Sequence, residues 1–212
     1  IKNSFQNISN IKIIPAEEEV SMDDSPRFAI KNKKDSSMRV AIDLVRDTKA
    51  SACVSSGNTG ALMATAHFRL KMLPGISRPA IMSCLPTHNK NKSVMVLDLG
   101  ANSDVKPKAL HEFALIATAT AKAKGISNPT IGLLNIGHEH HKGPDKIKDT
   151  NKLLEQTKGI NYQGYTEGDK IFSGDLDIII CDGFVGNVLL KSCEGLMTAI
   201  STSIKKSCKK SI

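Results

Sequence analysis

A chain of 212 residues with 40% hydrophobic content is long and apolar enough to bury a substantial core, as one large domain or part of a larger one. Aromatics at 4% and the absence of Trp argue against a stacking platform for single-stranded nucleic acid. The formal charge of +8 comes from lysines spread along the chain, so it reads as a basic background suited to anionic ligands rather than a nucleic-acid patch.

Five cysteines at 53, 84, 181, 193 and 208 form no C-x-x-C pair, which favours a reduced interior over a disulfide framework. Cys53, Cys84 and Cys181 stand in or beside apolar runs, where a thiol behaves as a small hydrophobe. No uncharged apolar run approaches the about 20 residues that a membrane span needs. The first residue is Ile rather than Met, so the sequence is expected to begin inside a longer protein.

In chain order, Ile11 to Ile14 predicts a strand leaving for an acidic loop, and Ser21 to Pro26 is turn chemistry. Ser36 and Ser37 can cap a helix whose inward face is Val40, Ala41, Leu44 and Val45. The stretch Cys53 to Leu62 reads as a strand, a tight turn and a helix start, with Ala61, Ala64, Phe68 and Met72 on one helical face. Ala80 to Cys84 and Val94 to Leu97 are strands joined by a turn at Asn89 to Lys92. Leu110, Phe113, Ala114, Ala117 and Ala121 follow the spacing of one buried helical face, which Gly125 ends. Ile131 to Leu134 is a further strand, followed by a helix from Asp145 to Gln156 with Ile147, Thr150 and Leu154 inward. Asn161 to Gly174 reads as irregular, Asp177 to Cys181 as a last strand, and a Lys- and Ser-rich helix completes the chain. This grammar predicts an α/β fold with a mainly parallel sheet and flanking helices, with antiparallel pairing near Asn89.

Each apolar strand ends in a small polar corner, at 55 to 60, 98 to 102, 135 to 143 and 182 to 187. Ligands of parallel sheets bind at the carboxyl ends of the strands, so these corners are expected to line one cleft. Gly57 and Gly60 permit close backbone approach, while Ser55, Ser56, Asn58 and Thr59 offer polar groups beside free helix N–H groups. That turn is either an anion cradle or a simple helix cap. Lys142 beside Gly143 is either an exposed lysine or a cation for phosphate or an oxyanion. Asp98 and Asp182 at strand ends are anchors or catalytic groups, and Lys106 reaches the cleft or occupies the surface. His138 to Lys142 lacks the spacing of a zinc helix, and no metal site is assigned.

Four stretches together resemble the PlsX family of bacterial phosphate acyltransferases. They are Lys33 to Met38, Val54 to Leu62, Leu97 to Asn102 and Cys181 to Lys191, with Gly132 to Gly137 and Lys142-Gly143 extending the match through nearly the whole chain. The resemblance implies an enzyme that moves a long acyl chain from acyl carrier protein to inorganic phosphate, giving acyl phosphate for phospholipid synthesis. It implies a fold similar to isocitrate and isopropylmalate dehydrogenases and phosphotransacetylases. It also implies a cytoplasmic homodimer peripherally associated with the inner face of the membrane, without cofactor. Carried onto this chain, Ser56, Gly57, Asn58 and Thr59 cradle phosphate, and Asn102, Asn135, Gly137 and Gly183 bind substrate, while Lys142, Asp182 and Asn187 are the catalytic candidates. Residues 1–212 are expected to be one α/β domain that lacks the family's opening Gly-Gly-Asp turn and its closing His-Gly region. His138, His140 and His141 depart from the family's acidic pattern before Lys142. The alternatives are a phosphotransacetylase-like enzyme using acyl-CoA and a non-catalytic remnant.

Overall fold

The computed structural model describes residues 10–210. They divide between Leu73 and Pro74 into two compact units. In the first, three helices surround a small core: α1 (Pro26–Asn32), α2 (Ser37–Arg46) and α3 (Thr59–Leu70). Ser25 and Ser36 cap α1 and α2 by accepting from Phe28 N and Arg39 N. Arg69 on α3 grips Asp43 on α2 through two bonds of 2.6 and 3.1 Å.

Four expectations for this unit need correction. Ile11 to Ile14 forms no strand, and neither does 53 to 56, where Val54 is 96% exposed. A strand needs a ladder partner, and the one bridge among the described residues of this unit joins Glu18 to Ser36. The buried face of α2 is Met38 and Ile42, with Val40, Ala41, Leu44 and Val45 only half-buried. On α3, Ala61 and Thr65 are buried, Phe68 is 65% exposed, and Met72 lies beyond the helix.

The second unit is an α/β layer structure. Its strands are β1 (Met82–Pro86), β2 (Ser93–Leu97), β3 (Thr130–Leu134), β4 (Asn161–Thr166) and β5 (Ile178–Ile180), in the order β1-β2-β5-β3-β4. β1 is antiparallel to β2 across the 87–92 turn, and all other pairs are parallel. β4 occupies part of the stretch expected to be irregular. Its NYQGYT sequence has weak alternation, and pairing with β3 overrides it.

Alternation sorts the sheet into two apolar faces. Met95, Leu97, Ile131, Leu133, Ile178 and Ile180 face α4 (Pro107–Ala123) and α5 (Asp145–Glu155). The α4 face of Leu110, Phe113, Ala114, Ala117 and Ala121 is fully buried there, as its spacing predicts. Val94, Val96 and Ile179 face the other way, against Ile171, Phe172, Leu176 and the first turns of α6 (Gly183–Lys210) at Leu189 and Leu190. Burying each such Ile or Leu contributes roughly 1.5–3 kcal/mol, which fixes the central strands and therefore the corners that follow them.

Candidate functional site

The parallel strands place three of the expected corners at their carboxyl ends: Asp98 after β2, Asp182 after β5 and Asn135 after β3. Asp98 is fully buried, and its carboxylate is saturated. Oδ1 accepts from Ile81 N and Ala101 N at 3.1 and 2.9 Å, and Oδ2 accepts from Asn102 N and Nδ2 at 2.8 Å each. Asp98 is therefore an anchor that shapes the corner, with no lone pair left for proton transfer. Asn102 Nδ2 also donates to Pro79 O, and Asn102 O accepts from Gly183 N at 2.8 Å. Asn102 and Gly183 thus weld two corners together, and a Cβ on Gly183 would stand 2.6 Å from Asn102 O. Asn187, exposed on the first turn of α6, lies against Gly100, whose φ of +120° suits glycine.

Asp182 is buried at the start of α6, where Oδ1 accepts from Val185 N at 2.9 Å. Its Oδ2 meets Lys146 Nζ at 3.0 Å, and the same ammonium lies 3.5 Å from Asp104. Burial works against the Lys146 charge, but the hydrogen bond and charge of Asp182, joined by Asp104, outweigh it and hold the pKa above the ordinary lysine range. Sequence reasoning missed Lys146. Its signal was helical spacing, since it stands four and eight residues before the inward-facing Thr150 and Leu154.

The third corner is folded around Asn135. Its Nδ2 donates to Gly137 O and Lys142 O at 3.1 and 3.2 Å, while its buried Oδ1 has no partner among the described residues. Gly143 packs so closely on Oδ1 that a Cβ there would collide with it. Lys142 is half-buried and bonded to Glu139 at 2.8 Å over Gly137. The Glu139 hydrogen bond and charge raise the Lys142 pKa, so the side chain is a cation held beside Glu139. His138 lies 3.6 Å from Glu167, and the His140 ring meets Tyr165 edge-on. His138, His140 and Glu139 thus turn to separate partners, and no metal-holding group forms among the described residues.

Between the Asn135 and Asp182 corners opens a cavity of about 410 Å³, lined chiefly by apolar groups including Leu134, Ile136, Ile147 and Val185, with Asn135 and Asp182 beside them. Its volume lies within the small-molecule range. Cys181 also lines it, and burial pushes its thiol up to about 12, so it is a neutral wall rather than a nucleophile.

Ser56, Gly57, Asn58 and Thr59 belong to the first unit. Asn58 caps α3, its Oδ1 accepting from Ala61 N at 3.0 Å. Its Nδ2 donates to Ser21 O, Met22 O and Asp24 O at 3.3, 3.0 and 2.9 Å. Its amide is consumed in holding the turn. Gly57 N donates to Ser55 Oγ, while Ser56 and Thr59 remain exposed beside the start of the 12-residue α3.

The family model described as "Fatty acid synthesis protein" matches residues 1–212. A phosphate acyltransferase of Coxiella burnetii is 52% identical over 206 residues, which are 97% of this chain and 60% of that protein. One from Pseudomonas putida is 49% identical over 198 residues, 93% of this chain and 58% of that protein. The chain therefore spans about three fifths of the length of these curated relatives. Among solved structures, a phosphotransacetylase from Streptococcus pyogenes superposes with a TM-score of 0.63 at 20% identity, over 76% of this chain and 55% of that one. The EutD phosphotransacetylase from Staphylococcus aureus gives 0.61 at 18% identity, over 93% and 70%. At that identity the likeness establishes the fold alone.

Proposed function

The chain belongs to the fatty acid synthesis protein family, and from that membership and the site geometry we propose that it transfers a long-chain acyl group from acyl carrier protein to inorganic phosphate, giving acyl phosphate for phospholipid synthesis. The observation that carries the reading is the apolar cavity at the carboxyl ends of the parallel strands, which joins an alkyl-compatible wall to the Asp182–Lys146 pair. Similarity to proteins named phosphate acyltransferase supports the same chemistry.

In this reading an oxygen of hydrogen phosphate attacks the thioester carbonyl carbon. The C–O bond forms, the C–S bond breaks, and the phosphate proton leaves with the thiolate as free carrier thiol. Charge develops on the carbonyl oxygen, and Lys142, paired with Glu139, is the cation offered to it. Asp182 holds the first turn of α6 and keeps Lys146 charged, while Asn102, Asn135, Gly137, Gly183 and Asn187 fix the corners around the substrate. Ser56, Gly57, Asn58 and Thr59 are assigned to phosphate through the exposed hydroxyls of Ser56 and Thr59 and the start of α3. No cofactor takes part. The reading extends to a cytoplasmic homodimer in peripheral contact with the inner membrane face; no helix among the described residues is long and apolar enough to cross a membrane.

Comparing carrier-bound long-chain thioesters with acyl-CoA donors tests the substrate. Preference for the carrier-bound donor is expected, and exclusive use of short acyl-CoA would replace this reading with a phosphotransacetylase-like one. Lys142→Ala is expected to lower kcat about a hundredfold, as loss of one oxyanion-stabilising group does.

A further inference from the structure

A second cavity, of about 480 Å³, opens beside α4 and is lined by Ser77, Arg78, residues 104–109 and Lys146. Its charge is unbalanced. Arg78, Lys106, Lys108 and Lys146 contribute four cations to its lining, and Asp104 is its one carboxylate. Lys146 is already paired with Asp182 and Asp104, and Lys108 comes within 4.0 Å of Glu112. Glu112 is committed elsewhere, because its Oε2 accepts from both Ser77 N and Ser77 Oγ. The side chains of Arg78 and Lys106 have no hydrogen-bond or ion-pair partner among the described residues. The backbone adds to the imbalance, since no side chain caps α4 and its first turn has no acidic residue.

Arg78 and Lys106 are exposed, and two unpaired cations lining one concave surface give it a positive potential that draws anions. Arg78 offers a planar fork and Lys106 a point charge, the combination that suits the several oxygens of a phosphate group. The cavity also adjoins the candidate site chemically, since Lys146 lines it and bonds to Asp182, which lines the apolar cavity.

We infer that Arg78 and Lys106, with Lys108 and the α4 N-terminus, form a phosphate-binding subsite beside the apolar cavity. This deepens the proposed acyl transfer and rests on it for the meaning of the phosphate. That phosphate is either an ester-borne phosphate on the thiol carrier of the donor or the free acceptor, in which case this subsite replaces the Ser56–Thr59 turn as its seat.

The test reads binding rather than turnover, so it can fail separately from the reaction. Calorimetric titrations of the intact protein with inorganic phosphate and with coenzyme A are compared for wild type, Arg78→Ala, Lys106→Ala and Lys90→Ala, the last a control in the hairpin turn. Circular dichroism verifies the fold of each. Weakening of phosphate binding about tenfold by Arg78→Ala and by Lys106→Ala, but not by Lys90→Ala, supports the subsite and assigns it to the free acceptor. The same loss confined to coenzyme A supports it and assigns it to the ester-borne group. Absence of wild-type binding to either probe, binding unchanged by both substitutions, or equal loss with Lys90→Ala overturns the inference.

Discussion

Lys146 Nζ lies 3.0 Å from Asp182 Oδ2, tying the first turn of α5 to the carboxyl end of β5. Both groups are largely withdrawn from water, and removing the lysine leaves a buried carboxylate short of a partner. Lys146→Met is expected to destabilise the protein by about 1 kcal/mol at pH 8, between the values for exposed and buried pairs. Because the folded pKa of Lys146 is raised, the contribution is complete below about pH 10.4 and is lost as pH climbs through the folded value. Urea unfolding at pH 8 and above pH 11 measures this. A wild-type advantage that stays constant across that window would contradict it.

Gly183 occupies a place that no side chain can share. An added Cβ would stand 2.6 Å from Asn102 O and 2.7 Å from Asn102 N, and both contacts are backbone. Gly183→Ala is expected to cost about 1–3 kcal/mol and to displace the Asp98–Asn102 corner. Gly195, further along α6, has open space around it, so Gly195→Ala should stabilise by about 0.5–1 kcal/mol through helix propensity. Equal effects from the two substitutions would show that the corner weld is unimportant.

Asn58 and Ser56 separate the two meanings of the turn before α3. Asn58→Ala loses the cap and three carbonyl contacts and is expected to cost about 1–2 kcal/mol in denaturant unfolding. Ser56 is exposed and makes no hydrogen bond among the described residues, so Ser56→Ala should stay within about 0.5 kcal/mol of wild type. If the turn holds phosphate, the Ser56 variant raises KM for phosphate while leaving stability alone. An unchanged phosphate KM would leave this turn as a cap only.

Cys181 should resist alkylation. With its thiol pushed up to about 12 by burial, its thiolate fraction at pH 8 is roughly a thousandfold below that of an ordinary cysteine. Exposed Cys84 and Cys208 should label first with iodoacetamide. Mass spectrometry of digests after brief labelling reads the order, and early modification of Cys181 in folded protein would refute the neutral-wall assignment.

The second unit was largely legible because its elements carry strong, local signals. The five-residue face of α4 and the Ile-rich β5 state their burial through spacing alone. β4 was not legible, because Asn161-Tyr-Gln-Gly-Tyr-Thr166 becomes a strand only by pairing with β3. The strands expected at 11 to 14 and from Cys53 failed for the converse reason, since an apolar run without a ladder partner forms no strand. The corner residues Asp98, Asn102, Asn135 and Asp182 were visible as polar groups ending apolar runs, but their division into saturated anchors and a charged pair depends on bonds across the chain. Lys146 and Arg78 escaped notice because isolated basic residues are ordinarily solvated.

Acyl phosphate formation tests the central proposal most directly. The protein is incubated with long-chain acyl carrier protein and inorganic phosphate, and acyl phosphate and free carrier are quantified by mass spectrometry. Equal amounts of the two products, formed only with phosphate present, are expected. Release of free fatty acid without acyl phosphate, or an unreacted thioester, would contradict the proposal.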